Sequence, residues 1–248
     1  LDLEQLIDKQ DPAWPLVTQW INDAANHIEV LAPSEPARTD TLLDLQVSTH
    51  STLGAIAYET GGILVDHGWL RILGSGHPRL PRSVTEWNRA VWGEEETDYP
   101  YYLIADDAIG GFYALDSGTL GNAESIFYFA PDTLEWEDTD QGYTDFIDFC
   151  LNGDLHKYYE SMRWQNWQDE VSLLNGDDSI SVVPPLAFTL EEELDPIDAR
   201  RRAPVSVYEM YDFHVYHLPS QLNEQEENFA PEEDEEGPPN QAPQPTIR

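Results

Sequence analysis

Two histidines sit at either end of one short apolar run: His67 in Asp66-His67-Gly68 and His77 in Gly76-His77-Pro78-Arg79. Imidazoles beside a carboxylate are the material of a metal site, which wants three or four ligands. Asp66, His67 and His77 supply three such groups, but their spacing matches no metal pattern, and hydrogen bonding within turns is the plainer use of residues placed there. Ser75, His77 and Asp66 are the residue types of an acyl-transfer triad, without the Gly-x-Ser-x-Gly elbow that usually presents the serine. Gly74-Ser75-Gly76 is glycine-rich, yet it leads into a loop containing Pro78 and Pro81 and not into the helix N-terminus a phosphate would need. Asp106-Asp107 with Asp116 has the composition of a hard-cation cluster but not the loop length or glycine placement of a calcium hand; solvation of a hairpin end accounts for it more simply. Glu135 and Glu137 alternate with Leu134 and Trp136. Carboxylates at that spacing lie about 7 Å apart on one strand face, suited to acid-base work or to a plain wet face.

A basic spot stands out more than any of these. The loop from Gly74 to Arg82 holds His77, Arg79 and Arg82 in a chain with only 12 Lys and Arg against 48 Asp and Glu. Such a spot pairs internally, with Asp106 or Glu135 as partners, or it meets a ligand. Arg79 is accordingly either a buried anchor or an exposed contact. The candidate binding set is therefore His67, His77, Arg79, Arg82, Asp106, Asp107 and Glu135. No catalytic residue, metal ligand or cofactor is assigned. The one cysteine, Cys150, lies in the apolar run Phe146 to Leu151 with nothing basic beside it, which fits a buried core thiol.

The formal charge of −36 reaches beyond the C-terminal stretch. Eight acids and one base follow Asn223, leaving forty acids and eleven bases before it. A surface this acidic repels nucleic acid and anionic lipid. It suits either a high-salt milieu, where counterions screen the repulsion, or a basic protein partner. The scarcity of lysine along the whole chain, Lys9 and Lys157 alone, favours the salt reading, because a partner site needs only one acidic face. No run of 18 apolar residues exists to span a membrane. No leader precedes Leu3, and a single cysteine rules out an intrachain disulfide, so the expected location is the cytoplasm.

With 40% hydrophobic residues and eight Trp, the chain can bury a real core. Helical spacing places Leu3, Leu6 and Ile7 on one segment, and Asp11-Pro12 is expected to open a second through Ile21. Thr39 or Asp40 caps a helix through Val47. Leu53–Glu59, Ile63–Val65 and Trp69–Leu73 read as strands divided by Gly61-Gly62 and Asp66-His67-Gly68. Ser83 with Glu86 has capping-box spacing. Strands follow at Tyr101–Ala105, Gly110–Asp116, Ile126–Ala130 and Leu134–Glu137, then helices over Tyr143–Leu151, from Asp154 to Met162, and near Trp167. Val182–Leu186 is extended, Glu191 to Arg202 a solvated loop, and Val205 to Leu222 helical or extended. The pattern is α+β: a curved antiparallel sheet with helices packed mainly on one side, in a single domain over 1–222. The stretch 223–248, rich in Pro and Glu, reads as an acidic disordered tail.

The blocks Leu45 to Asn88, Tyr101 to Asp116, Ile126 to Leu155 and Tyr158 to Val171 together resemble an uncharacterised bacterial family described only as a domain of unknown function. The order Ile104-Ala-Asp-Asp, Gly110-Gly-Phe-Tyr-Ala-Leu-Asp, Ile126-Phe-Tyr-Phe, then an acidic stretch and Tyr143-Thr-Asp-Phe-Ile, is also similar, more weakly, to the SMI1/KNR4-like superfamily. That resemblance implies an α+β fold with a curved sheet and a non-enzymatic role as an immunity protein, occluding a basic toxin such as a nuclease. The block 54–82 and the acidic stretch after Leu222 lie outside its pattern. The competing expectation is a small-ligand binder or an enzyme using the 66–82 region.

Overall fold

The computed structural model describes residues 1–94, 98–188 and 196–222. Its centre is a seven-stranded sheet whose spatial order follows the chain. The strands are β1 (Ile28–Leu31), β2 (Gly62–Val65), β3 (Leu70–Leu73), β4 (Tyr101–Asp107), β5 (Phe112–Asp116), β6 (Ile126–Ala130) and β7 (Glu135–Asp138), each antiparallel to the next. Strands covered on both faces read as continuous apolar runs and not as alternations, and β2, β3 and β6 are buried along their whole length.

Helices α1 (Leu3–Leu6) and α2 (Trp14–Asp23) precede β1, and α3 (Ala37–Leu45) and α4 (Thr52–Glu59) fill the crossing to β2. Helix α5 (Val84–Trp92) joins β3 to β4, while α6 (Tyr143–Asn152), α7 (Leu155–Tyr158) and α8 (Trp167–Val171) follow β7. A two-stranded sheet, β8 (Asp178–Val183) with β9 (Arg201–Ser206), leads to α9 (Val207–Asp212), which runs on through a π turn at Phe213–His217. The larger helix set, α2, α4, α6 and α7, packs on one face of the main sheet around Trp69, Tyr113, Phe146 and Tyr159. Helices α5 and α9 pack on the other around Leu80, Trp87, Phe112 and Tyr211. The α+β class with an antiparallel sheet and helices is as the sequence indicates. No helix among the described residues is long and apolar enough to cross a membrane.

Several local expectations are corrected. Residues Leu53–Glu59 are helical, not extended. Ser51 caps them by accepting from the Gly54 amide at 3.0 Å, and burial of every residue from Thr52 to Ala57 erases the periodicity that would have marked a helix. Strand β1 was not anticipated at all; it pairs with β2 from Ile28 opposite Val65 to Leu31 opposite Gly62. Helix α2 begins at Trp14, and the Asp11 amide donates to Asp8 in the preceding turn. Helix α3 begins at Ala37, ahead of the expected caps. Asp106 and Asp107 belong to β4 and do not end it early, and Arg201 and Arg202 open β9 instead of extending a loop. The stretch 223–248 lies outside the described residues.

Candidate functional site

Strand pairing places Arg71 of β3 directly opposite Asp106 of β4, and Leu70 opposite Asp107. Neighbours on a strand face opposite ways, so the two adjacent aspartates serve different sides of the sheet. Asp106, with no exposed surface, takes the Arg71 Nε at 2.6 Å on Oδ1 and the Arg82 Nη2 on Oδ2. Arg71 spends its other N–H groups on the Asp178 carbonyl at 2.5 Å, the Asp107 carbonyl at 3.1 Å and Ser179 Oγ at 3.3 Å. Arg82 also donates to the Gly176 carbonyl and to Asp177 at 3.0 Å, and its guanidinium lies 5.1 Å from the Trp87 ring centre. Burial pulls the Arg71 pKa down and Asp106 opposes that pull. Two guanidinium groups around one carboxylate, with carbonyls, Ser179 and Asp177 taking all the remaining donors but the buried Arg82 Nε, is the arrangement that makes interior charge tolerable. It ties β3, β4, the end of the 74–82 loop and the segment before β8 into one frame.

Asp107 points the other way. Its Oδ1 accepts from the amides of Ile109 (3.0 Å) and Gly111 (2.8 Å), and its Oδ2 from the Tyr128 hydroxyl at 2.7 Å. Burial pushes its carboxyl up, against those three hydrogen bonds. A side chain on Gly111 would collide with both Asp107 and Tyr128, so the turn after β4 needs glycine there.

Backbone bonds fix the loop between β3 and α5. Ser75 N and Oγ both donate to the Thr60 carbonyl (2.9 and 2.8 Å), Gly76 N donates to Gly61, and His77 and Leu80 exchange two backbone bonds around Pro78-Arg79. Ser83 and Glu86 then form the capping box that starts α5. The exposed tip, His77 to Arg79, separates two hollows. One is a groove of about 720 Å³ running to α3, lined by Pro36, Asp40, Asp44, His77, Glu86 and Arg89 among others. Arg89 pairs with Asp44 across it at 3.2 Å. The other, of about 160 Å³, brings His67, Arg71, Pro78 and Arg79 together.

Of the sequence-derived candidates, His67 and Arg79 thus share one hollow and His77 faces the other. Arg82 pairs with Asp106 and is an interior anchor. Arg79 is the opposite: its side chain is 53% exposed and it pairs on the surface with Glu29. Glu135 is exposed on β7, far along the strand order from the basic loop, and does not pair with it. Asp66 bonds Arg163 at 2.7 Å, and His67, in a left-handed conformation (φ 61°), stacks on His27 with ring centres 4.4 Å apart. Asp66, His67 and His77 therefore do not converge, and Ser75 is committed to Thr60. Among the described residues no group of three or more His, Cys, Asp or Glu is arranged to hold a metal. Cys150 is buried, and burial pushes its thiol pKa well up. Sequence reasoning missed Arg71 and Arg163. Arg71 had a visible signal, a charge inside the apolar run Trp69 to Leu73. Arg163 had one too, in the tryptophans around it: its guanidinium lies 4.1 Å from Trp167 and 4.7 Å from Trp69.

Known relatives match most of the chain. A "Putative uncharacterized protein YbfG" of Escherichia coli (strain K12) is 40% identical over 212 residues, 85% of this chain and 94% of its own length. An "Uncharacterized protein" of Haemophilus influenzae (strain ATCC 51907 / DSM 11121 / KW20 / Rd) is 40% identical over 211 residues, 84% of this chain and 91% of its own length. The model of the family described as "Protein of unknown function DUF2625" matches residues 3–210, from α1 into α9 and including every residue of the buried charge cluster. The chain belongs to the DUF2625 family.

Proposed function

We propose that this chain is a non-enzymatic binding protein, that its working face is the groove between α3 and the loop from Gly74 to Arg82, and that it receives a basic segment of another protein. The observation that carries the reading is the groove itself, about 720 Å³, bordered by Asp40, Asp44 and Glu86 with Arg89 already paired to Asp44. A concave surface with spare negative charge, on a loop anchored by buried ion pairs, suits recognition by a rigid scaffold. The charge of −36 would speed encounter with a basic partner. The immunity role, occlusion of a basic toxin, is the most specific form of this proposal and rests only on the weaker resemblance of the motif order from Ile104 to Ile147 to SMI1/KNR4-like proteins. A non-enzymatic role is supported by the engagement of Ser75, Asp66 and Cys150 in packing and pairing.

The small hollow favours a second reading, a site for a small anion between His67 and Arg79. Arg71 lines it too, but its donors are spent within the fold.

The deciding experiment is affinity capture from native lysate at low and high salt, with the wild type and with Asp40→Lys, a reversal at an exposed groove position. The proposal expects one or a few basic proteins, retained at low salt and lost with Asp40→Lys. Capture of the same proteins by both forms would remove the groove from the interaction. Dependence on Arg79→Ala alone would move the site to the small hollow.

A further inference from the structure

A third cavity, of about 220 Å³, lies at the other end of the strand order, between the β6–β7 edge and the helices α6 and α7. Its inner wall is aromatic. Tyr113 and Tyr128 are cross-strand partners with ring centres 4.6 Å apart. Tyr158 lies over them, 5.8 Å from Tyr128, and meets Phe149 edge to face at 5.2 Å. The two inner hydroxyls are engaged elsewhere, Tyr128 with Asp107 and Tyr113 with Tyr159, each at 2.7 Å. Their rings are left to line the space.

The outer wall is acidic. Asp138 accepts from the Ser125 hydroxyl, the Asn122 amide group and the Asp140 N–H, which hold its carboxyl below the usual range. Glu137 sits opposite Tyr128 in the register and, among the described residues, receives only the Thr133 hydroxyl, at 3.1 Å. Among the described residues, none that lines it carries positive charge. Tyr158 stays 40% exposed at the mouth, and beyond the effect of its burial, the negative fields of Asp107 and Glu137 also push its phenol up.

We infer that this cavity binds an organic cation, a guanidinium or alkylammonium group resting against the Tyr128 and Tyr158 rings with Glu137 as its counter-ion. Aromatic faces attract cations, more strongly where water is thinned. An anion would meet Glu137 and Asp138, and a neutral apolar guest would strip water from Glu137 without replacing it. The volume admits a guanidinium on a short alkyl stem. The cation is either a free small molecule or the side-chain end of an arginine or lysine on another protein. The cavity stands independently of the groove on α3.

The test is titration of the full chain, followed by NMR or calorimetry in ~0.15 M salt to suppress diffuse counter-ion binding. The probes are ethylguanidinium, its neutral isostere ethylurea, and acetyl-Gly-Arg-Gly-amide. Saturable binding of ethylguanidinium, about tenfold or more tighter than ethylurea, is expected, weakened roughly tenfold by Glu137→Gln and by Tyr158→Ala. Glu135→Gln, two residues earlier on the same exposed strand, should leave it unchanged. Equal binding of the peptide assigns the site to a protein side chain, and exclusion of the peptide with the ion retained assigns it to a free cation. Absence of saturation, equal binding of ethylurea, or equal effects of Glu135→Gln and Glu137→Gln would overturn the inference.

Discussion

Asp106 and Asp107 show how much a single step along a strand decides. One carboxylate is neutralised by two guanidinium groups, the other is hydrogen-bonded by uncharged amides and a phenol, because adjacent residues face opposite layers. The two arginines of the 74–82 loop divide the same way. Arg82→Met should cost about 3–5 kcal/mol of unfolding free energy, since it leaves the fully buried Asp106 short of one of its two partners. Arg79→Ala should cost no more than ~1 kcal/mol, the usual worth of an exposed pair such as that with Glu29. Urea melts of the two variants check this, and equal losses would mean that the buried cluster does not hold the loop. Charge scarcity in the sequence pointed to internal pairing of the basic spot, with Asp106 or Glu135, or to a ligand, without choosing among them. Which arginine does the pairing was not legible either, because Arg79 and Arg82 differ only in their distance from Ser83, where the capping box fixes the chain.

At the scale of elements, legibility followed local chemistry. The capping box at Ser83, strand β6 and the acidic strand after Pro131 were all readable because each carries its own signal in period or cap. Helix α4 was not, because its determinants are tertiary. Gly54 is the clearest case: a Cβ there would overlap the Ser48 carbonyl, so α4 and the turn before it pack backbone against side-chain-free backbone. In an exposed helix Gly→Ala stabilises by up to ~1 kcal/mol. Here Gly54→Ala should instead destabilise by about 1–3 kcal/mol through overpacking. Thermal unfolding of this variant decides between the two signs, and a stabilised protein would show that the Ser48 turn yields freely. Strand β1 escaped notice for a related reason. Ile28 and Val30 favour a strand, but four residues are too few for the alternation to stand out, and it is pairing with β2 that fixes them as one.

The whole molecule carries a conflict between its interior and its surface. Inside, charges are paired closely enough that added salt changes little, since screening acts weakly on buried pairs. Outside, an excess of 36 negative charges presses against compaction. The Debye length falls from about 10 Å at 0.1 M to about 3 Å at 1 M, shorter than most gaps between surface carboxylates. The melting temperature should therefore climb steadily between these concentrations of sodium chloride, with potassium chloride giving the same slope if screening is the cause. The buried cluster supplies an internal control. Arg82→Met should lower the curve by a constant amount without changing its slope, while Asp40→Lys, which removes repulsion at the groove, should flatten it slightly. A melting temperature indifferent to salt would mean that the acidic surface is not in net repulsion. The charge excess would then be better explained by a basic partner than by a saline environment.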